Sequence, residues 1–322
     1  MRMLLSRVAE RLYWMGRLLE RAEDTARIVN VNAHLLLDLP KGTAFGWEPL
    51  LFIIGAEELF YHHYQKADET SVVKFMLVDR DNPSSILSSL HCARENLRTT
   101  RDIVPRKAWE KLNDLYQYAK DPIEHTRRAR YAFLTRVIEG SQLISGLLAG
   151  TMSHDQAYDF VRIGRHLERT DMTSRIIDVR SANLIVKHTG GLTPFASIQW
   201  MSVLKSLSAH QMYRRHVHAR VNGTAVLRFL LQDPRFPRSV YHCLNEMQQS
   251  LNNLPHNEVP RRHVVRLRRQ VHEANIEELL IHKGLHEFID GLQIALDRLH
   301  DRIQASYFLT EAAGPKSSSM AA

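Results

Sequence analysis

The sequence predicts an all-α protein, a bundle of long helices built from two internally repeated halves. Three observations carry that prediction. Apolar residues recur every three to four positions along most of the 322 residues, and 14 Gly and 11 Pro are too few for a turn-rich β fold. A hydrophobic content of 44% beside 24% charged residues suits a folded body with a sizeable core. The polar stretch Gly16-Arg17-Leu18-Leu19-Glu20-Arg21, continuing to Thr25, Arg27 and Ile28, returns 148 positions later. There it reads Gly164-Arg165-His166-Leu167-Glu168-Arg169, continuing to Thr173, Arg175 and Ile176. A pattern that recurs after about half a chain reads as an internal duplication.

Residues 3–38 have helical periodicity and stop at the breaker cluster Asp38-Leu39-Pro40-Lys41-Gly42. A second helix starts near Trp47, with Pro49 tolerated in its first turn, and runs through Leu50, Leu51, Ile54 and Leu59. Ser71 to Leu77 is apolar on one face. Asn82-Pro83-Ser84-Ser85 then signals a turn and a helix start, capped by Ser84 or Ser85. The next helix passes through Leu90, Ala93 and Leu97 and is interrupted near Pro105; another carries Trp109, Leu112, Leu115 and Tyr116. Asp121 to Gly150 reads as one further helix with Phe133, Val137, Leu143, Ile144 and Leu147 on its buried side.

The second half repeats this order. Ser153-His154-Asp155 is the expected cap of the second motif helix. Trp200, Val203 and Leu204 echo Trp47, Leu50 and Leu51, and Phe229, Leu231, Pro237 and Ser239 echo Phe75, Leu77, Pro83 and Ser85. The expected division is 1–150 and 151–311, packed together, with a long last helix from Ile276 to Leu309 and a disordered tail over 312–322.

On a helical wheel with Gly16 at zero, Arg27, Glu20, Arg17, Ile28, Arg21 and Thr25 fall between roughly 0° and 180°. Leu18, Val29, Ala22, Met15, Val8, Ala26 and Leu19 take the opposite arc. Three readings of the charged arc stand side by side: a solvated face of i,i+4 pairs, a buried Arg/Glu network that fixes how the halves dock, or a site for an anionic ligand. The residues concerned are Arg17, Glu20, Arg21, Thr25 and Arg27, with Arg165, Glu168, Arg169, Thr173 and Arg175. The second copy has Met172 where the first has Asp24 and His166 where it has Leu18, so a single ligand site is expected with the first copy.

Net charge is +8 with His neutral, but acidic residues are interleaved with the basic ones, so a nucleic-acid binder ranks last. The basic run Arg261 to Arg269 reads as a solvated helix face. Two cysteines, Cys92 and Cys243, form no framework; both are expected as buried thiols in a reducing compartment, and cytoplasm is the expected location. No apolar run is long enough for a membrane span.

Tyr13-Trp14-Met15-Gly16-Arg17, leading into Leu19-Glu20-Arg21-Ala22-Glu23-Asp24-Thr25-Ala26-Arg27, resembles the Alpha-E family of bacterial all-helical domains, named for a Glu-Arg motif. Asn82-Pro83-Ser84-Ser85-Ile86, Ala93-Arg94-Glu95-Asn96 and Gly284-Leu285-His286-Glu287 extend the resemblance over almost the whole chain. It implies an accessory of circularly permuted ATP-grasp proteins, also found alongside transglutaminase-like proteases, in a system that forms amide or peptide bonds. The ATP chemistry would then belong to the partner; this chain has no phosphate-binding glycine loop, and no cofactor is expected.

Glu278, His282 and His286 are spaced to share a helix stripe, but a metal site would need further ligands, and none is expected. His210, His216 and His218, near Arg214, Arg215 and Arg220, read as an anion-attracting surface. The function expected is a non-catalytic partner that binds the ligase or its anionic substrate. The alternative is an enzyme of the same pathway with Glu20 or Glu168 as acid/base, which requires a raised carboxyl pKa in a cleft.

Overall fold

The computed structural model describes residues 4–38, 46–124, 126–185, 196–217, 220–281 and 284–308, and these are all-α, with no strand among them. Two long helices, α1 (Ser6–Asp38) and α8 (Gln156–Ile185), run side by side in the same direction through the middle. Their parallel course follows from the pairs that join them, which step forward together from Leu4 with Gln156, through Arg17 with Glu168, to Asn32 with Arg180.

Around this pair the other helices fall into two sets. Helix α5 (Ile86–Arg98) and α7 (Arg127–Thr151) pack on α1, with α6 (Arg106–Lys120) between them on the outside. Helix α12 (Val240–Asn252) and α15 (Gly284–Tyr307) pack on α8, with α13 (Glu258–Glu273) outside. The short helices cross over: α2 (Pro49–Ile54) packs on α8, and α9 (Ala196–Ser206) packs on both α8 and α1. The remaining pieces are α3 (Glu57–His63), α4 (Glu69–Leu77), α10 (His210–His216), α11 (Gly223–Gln232) and α14 (Ile276–Leu279).

Local signals explain most starts and stops. Ser85 Oγ accepts from Ser88 N–H and Ser239 Oγ accepts from His242 N–H, each 3.1 Å, so matching serines cap α5 and α12. Within the expected Ser153-His154-Asp155 cap it is Asp155 that accepts from the N–H groups of Ala157 and Tyr158 at the start of α8. The helix expected to run unbroken from Trp47 through Leu59 instead stops at Gly55, whose φ of +62° is left-handed backbone and ends α2. Ser208 holds the same conformation, with φ of +52°, between α9 and α10.

Other expectations need correction. The helix expected from Asp121 begins at Arg127, capped by Thr126. Along it Leu143 is 49% exposed, although Phe133, Val137 and Ile144 are buried as expected. The last helix is two: α14 ends at Leu279 and α15 begins at Gly284, so Glu278 and His286 do not share one stripe. Cys92 on α5 is exposed, and only Cys243 is buried. The breaker cluster 39–42, His218, His282 and the tail 312–322 lie outside the described residues. No described helix is long and apolar enough to cross a membrane.

Candidate functional site: the paired Glu-Arg helices

The motif occupies the place where α1 and α8 cross. A Cβ added to Gly16 would lie 2.5 Å from the carbonyl oxygen of Val161, and one added to Gly164 would meet the carbonyl oxygen of Tyr13 still more closely. Val161 stands to α8 as Tyr13 stands to α1, so the two contacts are reciprocal. Each glycine lets the opposite backbone approach.

Close approach brings the charged arcs face to face, and each helix answers the other's glutamate. Arg17 Nε and Arg21 Nε both donate to Glu168, the former at 2.7 Å. Arg169 grips Glu20 with two bonds, Nε to Oε1 at 2.7 Å and a terminal nitrogen to Oε2 at 2.8 Å. Glu20 and Glu168 are almost wholly buried, at 2% and 1% exposure. Against the upward pull of burial, Arg169 and Arg238 hold Glu20 down to about 2, and Arg21 and Arg17 do the same for Glu168.

The outer motif arginines also act reciprocally. Arg27 binds Glu23 on its own helix at 2.6 Å and donates to Ser208 Oγ in the left-handed turn before α10. Arg175 binds both oxygens of Asp171 at 3.0 Å, with its guanidinium against the equivalent turn at Gly55. Thr173 Oγ1 donates to the Arg238 carbonyl at 3.1 Å, whereas Thr25 is fully buried and its hydroxyl has no partner among the described residues.

The symmetry breaks at Arg238, just before α12. Its guanidinium enters the first motif and binds Asp24, Glu23 at 2.9 Å and Glu20 at 3.0 Å. The matching position before α5 is Ser84, and the residue matching Asp24 is Met172, so both partners are absent together on the other side. Asp24 is 1% exposed; burial is the main cause that raises its carboxyl to about 7, opposed by Arg238 and helped by Glu20 and Glu23.

Because Arg238 and Arg169 occupy Glu20, Arg165 is left over. It matches Arg17 by position, yet it forms no hydrogen bond or ion pair among the described residues, and its Nε is buried. Beside it His166 is 3% exposed with neither ring nitrogen bonded. In the first copy the groups left without a partner among the described residues are acceptors or hydroxyls, Asp24 Oδ2 and Thr25 Oγ1, whereas the spare nitrogens of Arg165 and His166 lie on the second.

Sequence reading missed Asp24, Glu23 and Arg238 as members of the site. The departure of Met172 from Asp24 and of Ser84 from Arg238 was visible, but nothing in the order of residues joins positions more than 200 apart.

A family model described as a predicted alpha-helical domain with a conserved ER motif, Alpha-E, matches residues 4–308. The chain belongs to the Alpha-E family. The two Glu-Arg pairs of this Alpha-E chain, Glu20-Arg21 and Glu168-Arg169, are those that interlock α1 and α8. It is similar to uncharacterized proteins of Mycobacterium bovis and of two Mycobacterium tuberculosis strains, each 24% identical over 330 residues. Each match covers 93% of this chain but 36% of the relative, so the chain spans little more than a third of their length. No solved structure matches.

Other candidates are less organised. Among the described residues no three His, Cys, Asp or Glu side chains gather as a metal site would require. His286 contacts Asp178 across α15 and α8. Arg261, Arg262, Arg266 and Arg269 are exposed on α13 while Val264, Leu267 and Val271 are buried, which makes the basic run a solvated face.

Proposed function

We propose that this Alpha-E chain is a non-catalytic helical accessory of an amide- or peptide-bond-forming system, working beside a circularly permuted ATP-grasp protein. The observation that favours an accessory is the state of Glu20 and Glu168. Both are buried, gripped by arginines and held to about 2, so neither is poised to exchange a proton near neutral pH. The enzyme alternative built on these glutamates asks for the opposite shift.

The ATP-grasp partner rests on the family resemblance. The mycobacterial relatives, in which the matched part is 36% of a longer chain, suit a helical module that works with further protein mass. A transglutaminase-like protease is the second partner proposed. The halves 1–150 and 151–311 are proposed as copies of one unit docked through the motif. The unpaired thiols Cys92 and Cys243 favour a reducing cytoplasm.

The test mixes this chain with a circularly permuted ATP-grasp protein from the same source and follows ATP consumption with amino acids. Turnover that appears only in the mixture, with a complex in size-exclusion chromatography, is the expected result. Equal turnover without this chain, and no association at micromolar concentration, would reject the reading.

A further inference from the structure

The two sides of the α1–α8 pair are built alike but finished differently, and the difference is directional. On the first side Arg17 is saturated: it binds Glu168 at 2.7 Å, and its guanidinium lies 4.9 Å from the centre of the Trp14 ring. Leu18 beside it is buried. On the second side the matching positions are Arg165, Arg162 and His166, and Ser88 of α5 is matched by His242 of α12. An apolar wall has become a basic one. Arg162 is neutralised by Glu246, and Arg169 by Glu20. Arg165 feels the charge of Glu20 but forms no ion pair with it, and the buried His166 ring, 6.3 Å from that of His242, has no hydrogen-bond partner among the described residues.

We infer that Arg165 and His166 form a binding site for a single small oxyanion of the phosphate or carboxylate class. Buried donors in native proteins are matched by protein, water or ligand. Here Arg165 offers a fork of N–H groups and His166 one ring N–H; His242 is a neighbour only, because its Nδ1–H donates to the Pro234 carbonyl at 3.0 Å and leaves Nε2 of the neutral ring an acceptor. Burial first, then Arg165, Arg169 and Arg162, keeps His166 far below its usual value, so the ring is a neutral donor. Arg162, Arg165 and Arg169 are each part-exposed along the rim, which leaves the anion a route from solvent. The spare cation exists because Arg238 has taken over Glu20; the site is a consequence of the asymmetry between the halves.

This inference goes beyond the accessory reading and does not depend on any partner protein. The test is calorimetric titration of the full chain with inorganic phosphate and, separately, with acetate. Saturable binding of either at or below about 10 mM is expected, and the tighter of the two names the source of the oxyanion. Arg165→Met should weaken it by about tenfold or more. His166→Leu, which installs the residue that the first half carries at this place, should also weaken it and serves if Arg165→Met fails to fold. Arg261→Met, on the exposed face of α13, should bind as the wild type does. No saturable binding of either anion by the wild type would overturn the site. So would undiminished binding in the two variants, or an equal loss in Arg261→Met.

Discussion

Asp24 is a residue whose charge the fold resists. It is buried beside Glu20 and Glu23, and one guanidinium, Arg238, serves all three carboxylates. With its pKa raised to about 7 from an ordinary 3.8, the folded chain holds a proton that the unfolded chain releases. The stabilisation from that proton is complete below pH 3.8 and is lost as pH rises through about 7. The difference in unfolding free energy between wild type and Asp24→Asn should therefore move against the wild type from pH 5 to about pH 7, by at most ~1.4 kcal/mol per pH unit, and level off above it. Denaturant unfolding of both proteins at several pH values checks this. A difference that stays flat would mean Asp24 is ionised throughout and that Arg238 outweighs burial.

Helices α1 and α8 depend on glycine at their crossing. The backbone carbonyls that face Gly16 and Gly164 belong to the opposite helix, and no rotamer change can move them aside. Gly16→Ala and Gly164→Ala should each cost ~3 kcal/mol, the upper part of the range for overpacking, while Gly146→Ala, which meets nothing within 4 Å, should be neutral or stabilising. Urea midpoints of the three variants decide it, and a tolerated Gly16→Ala would contradict the crossing geometry. At this scale much was legible in advance. Periodicity and capping residues give the all-α class, the extent of α1 and the Ser85 and Ser239 caps. The breaks at Gly55 and between α14 and α15 were not legible, because the apolar rhythm continues across them. The charged arc of α1 was equally ambiguous: on a wheel it looks like a solvated face, and only a second helix with the same arc makes it a buried one. Arg238 was hidden for the same reason, since its partners lie on an element remote in sequence.

The whole molecule is two helical sets held by one parallel pair, and the motif lies in the joint. Burying a glutamate between arginines of two helices adds orientation more than net stability, since desolvation offsets much of the attraction; removing one partner, however, strands the others. The Glu-Arg pairs thus read as the device that fixes how the two sets meet, and the spare donors of Arg165 and His166 as what remains open on one side of it. The joint's two motif carboxylates, Glu20 and Glu168, are already committed to arginines of the opposite helix.

The most direct test of this account is denaturant unfolding at pH 7 of Glu20→Gln and Glu168→Gln beside Glu110→Gln, a glutamate in exposed i,i+4 and i,i+3 pairs. The interlock predicts a loss of ~3–5 kcal/mol for each buried glutamate and within ~0.5 kcal/mol of wild type for Glu110→Gln. Loss at Glu20 and Glu168 no larger than at Glu110 would contradict it and return the motif to a solvated surface.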